Sequence, residues 1–262
     1  MKILLQYHRL SIAIIAALTF APIAALAENA SSEGITVIAD SSVMKPLRAL
    51  AQHYTREHGI GITLIADTSH DAVEELSGGL AADLVVTGHK RTYTALDQMG
   101  LTDRFASRFL VGDPIALVGM KSPALLGSVS EKVLKKRLLA SSTVPLCAVL
   151  NARYFPEMQT VKSIIATSNL DPEPKIKLVP TRDALKEALA TPNSFSAMPL
   201  SALAQFPELE IIAVLQEPSQ RIRVRGEVLA GTRMQAARTL LGYLASDEAI
   251  EIWSSYGFVA DE

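Results

Sequence analysis

The feature that most limits how this chain can fold is a short unit that occurs twice. Ile35-Thr36-Val37-Ile38-Ala39 is apolar and largely β-branched, and Asp40-Ser41-Ser42 follows it. Ile62-Thr63-Leu64-Ile65-Ala66 has the same character, and Asp67-Thr68-Ser69 follows it. Each apolar run reads as a buried strand. After the first, Val43, Leu47, Leu50, Ala51 and Tyr54 recur at the spacing of one face of an α-helix. Pro46 fits only in the first turn of that helix, where its missing N–H is no loss. Ser41 or Ser42 is therefore expected at the N-cap. After the second strand, a polar helix is expected from about His70 to Leu76. Two such units in succession aim two helix N-termini at one edge of a parallel sheet, the edge where open α/β sheets bind ligands. A serine at a helix start often does no more than cap it. Beside free backbone N–H groups and the positive end of the helix dipole, it can also hold an anion. The recurrence favours that second role.

Strands and helices continue to alternate, which implies a doubly wound α/β sheet. Ser77-Gly78-Gly79 breaks the second helix, and Asp83 to Thr87 forms a third strand, with Asp83 read as an acid that bonds backbone. Tyr93 to Met99 reads as a helix stopped by Gly100. Phe109 to Met120 is an apolar strand interrupted by Gly112-Asp113-Pro114. Helices are expected from Ser130, from Pro156 and over Asp183 to Leu189, with Asp171 to Pro174 a rigid loop. Strands are expected at Val144 to Leu150, Ile176 to Val179, Phe195 to Met198 and Glu210 to Leu215. Glu217-Pro218-Ser219-Gln220 leads into an alternating strand, Ile222 to Ala230. In the tail, Met234, Ala237, Leu240, Leu241 and Leu244 line one helix face. A last helix from near Asp247 buries Ile250 and Trp253, and Gly257 supplies its left-handed stop.

Met1 to Ala27 has the build of a cleaved secretory signal, with Lys2 and Arg9, an apolar run from Leu10 to Ala25, and the small-x-small site Ala25-Leu26-Ala27. About 235 residues would remain, enough for one large domain or two small ones. The formal charge of −2 gives no basic field for nucleic acid. Cys147 is the only cysteine, so no internal disulfide can form, and it reads as a core residue. No Gly-x-Ser-x-Gly elbow, His-Glu-x-x-His pair or phosphate-binding loop is present, and no nucleophile–base pair suggests an enzyme. His70 and His89 fall near the ligand edge and are candidates for a metal role, although solvated loop histidines are commoner. No cofactor is expected.

These residues also resemble the periplasmic molybdate-binding proteins of ABC transporters. The resemblance is carried by Ala39-Asp40-Ser41-Ser42-Val43, by Thr68-Ser69, by Gly79-Leu80-Ala81-Ala82-Asp83-Leu84-Val85-Val86, and by Tyr243-Leu244, Ala249-Ile250 and Tyr256-Gly257-Phe258. It implies a two-lobed type II periplasmic-binding-protein fold, α/β in class, each lobe a mixed sheet flanked by helices, joined by two crossing strands. One lobe would comprise 28–112 and 224–262, the other 113–223, with hinges near Gly112 and Glu217-Pro218. It also implies a monomer in the periplasm that captures a small oxyanion in the interlobe cleft and delivers it to a membrane permease. Neutral donors hold the anion in that family. Here Ser42, with Ser41 beside it, matches the first serine, Thr68 or Ser69 the second, and the backbone near Ala184 a donor from the other lobe. This chain departs from the family at Asn151-Ala152-Arg153 and at Ala197-Met198-Pro199. Asp40 and Asp67 stand where the family has small neutral residues. Two carboxylates beside an anion would repel it, unless Arg153 or Arg182 offset them, so a zwitterion, an organic acid or a metal complex is the alternative ligand. A sensor or accessory protein on the same fold is the alternative role.

Overall fold

The run Ile35–Asp40 forms strand β1, and both faces of it are covered. Ile35, Val37 and Ala39 enter one apolar cluster and Ile38 enters another, each no more than 1% exposed. Burial on both faces is why the run is continuously apolar rather than alternating. The chain is seen here in a computed structural model that describes residues 34–67, 71–120, 146–150, 175–191, 194–214, 221–231 and 233–260. The expected signal segment, Thr68 and Ser69, Arg153, the helices from Ser130 and Pro156, and the loops at Asp171–Pro174 and Glu217–Gln220 lie outside the described residues.

From β1 the chain runs through α1 (Met44–His58), β2 (Ile62–Asp67), α2 (Asp71–Ser77), β3 (Leu84–Thr87), α3 (Lys90–Gln98) and β4 (Thr102–Asp113). β5 (Ile115–Met120), β6 (Leu146–Leu150), β7 (Lys175–Val179), α4 (Arg182–Leu189), β8 (Ser194–Pro199), a 3-10 turn (Leu200–Gln205) and β9 (Leu209–Val214) come next. β10 (Ile222–Leu229), α5 (Met234–Leu244), α6 (Asp247–Ser255) and β11 (Val259–Ala260) complete it. Among the described residues the strands form a six-stranded sheet, β11-β4-β10-β3-β1-β2, and a five-stranded sheet, β7-β6-β8-β5-β9. β1, β2 and β3 are parallel, and β10 is antiparallel to β3 and β4. Pro114, which has no N–H to give a ladder, marks where the chain leaves the first sheet as β4 and enters the second as β5. It returns between β9 and β10. At the described ends of the two passages, Ile222 pairs with Asp113 and Val214 with Ala116. This is the expected class: mixed sheets flanked by helices and joined by two crossing strands.

The larger core lies between β1, β3, β4 and β10 on one side and α1, α5 and α6 on the other, with Leu47, Leu50, Tyr54, Leu240, Leu244 and Trp253 at its centre. Burying each such side chain stabilises the fold by about 1.5–3 kcal/mol. Trp253 packs edge-on to Phe258 and donates its indole N–H to Leu244 O at 3.1 Å. Gly226 of β10 sits directly under α5, where a Cβ would lie 2.4 Å from Leu241 Cδ1. Asp83 accepts the Thr36 N–H at 2.8 Å, the backbone role expected of it, and pairs with Arg233.

Two expectations need correction. β4 begins at Thr102, well before Phe109. Its first half reads Thr102-Asp103-Arg104-Phe105-Ala106-Ser107-Arg108, which has no apolar run, and Phe105 in it is 95% exposed. In α6 it is Ala249 that is buried beside Trp253, while Ile250 is half-buried.

β10 also carries a buried acid. Glu227 is fully buried, and neither of its carboxylate oxygens is aligned for a hydrogen bond among the described residues, although the Arg225 guanidinium lies against it. Arg225 is held by the Ser107 hydroxyl at 2.6 Å and stacks over Tyr93 and Phe109. Burial pushes the Glu227 carboxyl up to about 7, against the pull of Arg225. A carboxyl whose pKa rises on folding withdraws stability as pH climbs from its unfolded value to its folded one. Glu227→Gln should therefore gain on the unmodified protein as pH rises from about 4.5 to about 7, by up to about 3 kcal/mol. Urea denaturation of both proteins across that range checks this. A pH-independent difference would show that Glu227 does not titrate on folding.

Candidate functional site

The carboxyl ends of β1, β2 and β3 meet at one edge of the first sheet. Asp40 is in register with Asp67, and Ala39 with both Ala66 and Val86. The turns that leave these strands build the edge. After β1, the Val43 N–H donates to Asp40 O at 3.0 Å and closes a tight turn over Ser41 and Ser42. The residue at the N-cap of α1 is consequently Val43, with φ −98° and ψ −3°, and no side-chain hydrogen bond caps the helix. This corrects the expectation that Ser41 or Ser42 is the cap. A backbone bond closes the turn instead, and both serines stand exposed at its corner. Their hydroxyls are not spent on the helix. The first turn of α1 contains no acid, so nothing in it neutralises the positive end of the dipole.

Asp40 turns the other way. Its side chain is 6% exposed, and its Oδ2 accepts the Thr87 hydroxyl and the Gly88 N–H, each at 2.8 Å. The Thr87 hydroxyl in turn accepts the His89 N–H at 3.0 Å. Asp40 thus ties the end of β1 to the β3–α3 turn. His89 Nε2 lies 3.8 Å from the same oxygen, but burial lowers its pKa against the pull of Asp40, so the contact is with a neutral imidazole at neutral pH. Gly88 is required here by space: a Cβ would lie 2.8 Å from Ile222 Cγ2, where β10 enters the sheet.

The other expected residues fall on both sheets. The backbone of Asp67 closes β2 beside Asp40. Thr68 and Ser69, which would continue from it, lie outside the described residues. Ala184 belongs to the second sheet, in the first turn of α4, and its N–H donates to the capping hydroxyl of Thr181 at 3.2 Å. An anion seeking that N–H would have to compete with Thr181 and sit near Asp183 of the same turn. The structure therefore joins Asp40, Ser41, Ser42 and Asp67 at one edge and puts Ala184 at the head of a helix on the other sheet. Among the described residues no group of three or more His, Cys, Asp or Glu side chains converges to hold a metal ion. Thr87 and Gly88 are partners of Asp40 that the sequence reading does not single out, and His89, expected near this edge as a metal candidate, lies instead against Asp40. An acid ending one parallel strand and a Thr-Gly ending its neighbour is the pattern that would have shown it.

Removing Asp40 should leave the Thr87 hydroxyl and the Gly88 N–H without their acceptor, at a cost of about 1–3 kcal/mol. Asp40→Ala is expected to lower the melting temperature and to speed hydrogen exchange at Gly88 more than at core amides of β1. An unchanged Gly88 exchange rate would mean that the tie contributes nothing to the turn.

Residues 35–259 match a family model described as bacterial extracellular solute-binding protein. The chain is 23% identical over 238 residues to the molybdate-binding protein ModA of Haemophilus influenzae, covering 88% of this chain and 92% of that one. Among solved structures it is similar to the periplasmic molybdate-binding protein of Azotobacter vinelandii, with TM-score 0.60 and 14% identity, over 87% of this chain and 100% of that one. It is also similar to the tungstate binding protein TupA of Desulfovibrio alaskensis, with TM-score 0.63 and 14% identity, over 84% and 93% of the two chains.

Proposed function

The chain belongs to the bacterial extracellular solute-binding proteins, and from that premise we propose that it captures a small oxyanion of the molybdate type for an ABC importer. The ligand would sit at the carboxyl edge of β1 and β2, between a lobe of residues 28–112 and 224–262 and a lobe of 113–223. Closure about the passages at Pro114 and between β9 and β10 would bring the second lobe over it. The closed form would dock on a membrane permease, with the protein exported and monomeric.

One observation carries this reading. The Ser41-Ser42 turn presents two exposed hydroxyls at the acid-free head of α1, while Asp40 directs an oxygen away into the β3–α3 turn. The repulsion expected between Asp40 and an anion is weakened, because two donors already face that carboxylate. Hydrogen bonds from neutral donors to an anion in a dry cleft are strong enough to hold it without a counter-charge. The named specificities of the relatives from Haemophilus influenzae, Azotobacter vinelandii and Desulfovibrio alaskensis point to molybdate and tungstate as the first ligands to try.

Calorimetric titration of the ligand-stripped protein with molybdate, tungstate and sulfate tests it, with amino acids and small organic acids as the contrasting set. Binding of at least one oxyanion is expected. Ser42→Ala should then weaken that binding by about 1.5–3 kcal/mol, roughly ten- to a hundredfold. Binding confined to amino acids or organic acids would move the protein to another ligand class. Unchanged oxyanion affinity in Ser42→Ala would take Ser42 out of the site.

A further inference from the structure

A second surface, away from the serine turn, has the features of a peptide-binding groove. β2 is the outermost strand of the first sheet among the described residues, so one of its edges is unpaired. Edge strands are commonly protected from further pairing by charges, proline or a bulge. Up to Asp67 at its end, β2 has neither charge nor proline, and its register with β1 runs without a break. Beside that strand lies a groove of ≈ 610 Å³ lined by Arg48, Gln52, Thr55 and Arg56 of α1 and by Ile62 and Leu64 of β2. Arg48, Gln52 and Arg56 are exposed and form one stripe of the helix. Neither arginine pairs with a carboxylate among the described residues, whereas Arg225, Arg233 and Arg238 do.

We propose that this groove binds an extended acidic segment of a partner protein, which adds to the first sheet along β2. Backbone pairing would supply the attachment and the groove the selectivity, as in other cases of strand addition. The spacing fixes the chemistry of the segment. Arg48 and Arg56 are eight positions apart on α1, about 12 Å at 1.5 Å per residue. Residues i and i+4 of a strand share one face and are about 13 Å apart at 3.3 Å per residue. A strand with acids at i and i+4 and an apolar residue between them at i+2 thus sets one carboxylate by each guanidinium. The middle side chain then covers Leu64 and Ile62. Arginine suits this position because its planar fork takes a carboxylate through two hydrogen bonds.

The test uses the full chain and short labelled peptides followed by fluorescence anisotropy. The probe carries Glu-Thr-Val-Thr-Glu; the controls carry Lys-Thr-Val-Thr-Lys and Glu-Thr-Val-Glu-Thr, which turns its second acid to the opposite face. The probe is expected to bind saturably and at least tenfold more tightly than either control. Arg48→Glu with Arg56→Glu changes only exposed side chains and should reverse the preference toward the lysine peptide. Thr63→Lys, a charge on the open edge, should weaken the probe by a similar factor. Equal affinity for the acidic and basic peptides, or no saturable binding, would overturn the proposal. So would self-association of the chain that Thr63→Lys abolishes, because the edge would then serve a second copy. The peptide result does not depend on which solute the protein captures.

Discussion

The carboxylate of Asp40 holds the working edge of the first sheet in shape. Parallel strands are fixed to one another along their ladders, but the ladder ends with the strand, and the turns beyond it need another tie. β1 and β3 pair only over Val37 to Ala39 and Leu84 to Val86. Past that point, one Asp40 oxygen gathers the Thr87 hydroxyl and the Gly88 N–H, and the Thr87 hydroxyl gathers the His89 N–H. A nearly buried carboxylate is costly unless it is hydrogen-bonded, and charge-assisted bonds are the strong ones. The acid that looked like an obstacle to an anionic ligand is therefore first a structural group. Its position also explains Gly88 and the closeness of Ile222: the return strand enters where the tied turn leaves room only for a hydrogen atom.

The same reasoning applies where the chain changes sheets. Asp113 is the last residue of β4 and is nearly buried. It accepts both the N–H and the hydroxyl of Ser201, and the neighbouring Leu200 N–H bonds Pro114 O at 2.8 Å. Burial pushes the Asp113 carboxyl up to about 6, and the Ser201 bonds pull it back. One acid thus ties the end of the first sheet to the turn after β8 of the second. Covalent continuity alone would leave the junction at Pro114 loose. These bonds give it a preferred geometry.

Much of the fold was legible because the elements that matter are apolar on a regular period. β1, β2, α1 and the α5 face obey simple spacing, and Gly257 has the positive φ of 93° that a left-handed stop needs. The first half of β4 was not legible. Its side chains offer no run of large apolar residues: Ala106 is buried, Phe105 is exposed, and irregularities break its register with β10. In α6 the small Ala249 is buried beside Trp253 and the larger Ile250 is only half-buried, which residue size does not reveal. At the site, the serines were found but their role at the cap was misread. Whether a turn closes through its backbone or through a side chain depends on φ and ψ, and Asp40-Ser41-Ser42-Val43 is compatible with either. The Asp40–Thr87–Gly88 tie joins residues forty-seven and forty-eight positions apart. Only the register of β1 on β3 brings them together.

The disposition of charge separates two kinds of recognition on one lobe. At the serine edge, Asp40 is turned inward and occupied by donors, and His89 is kept neutral by burial. Outward from the turn after β1 stand the Ser41 and Ser42 hydroxyls, beside Lys45 at the helix end. Such donors discriminate by geometry, since each must reach an oxygen at hydrogen-bond distance, and they leave no fixed counter-charge behind when the ligand departs. That suits a solute that has to be handed on. Along the far side of α1 the opposite holds, with the guanidinium groups of Arg48 and Arg56 outward and paired with no carboxylate among the described residues. Fixed charges of that kind speed encounter and select a partner by sign, at ranges that salt limits to about 10 Å. On the two proposals, one helix, α1, would offer its positive dipole end to a small anion and its arginine stripe to an acidic partner segment.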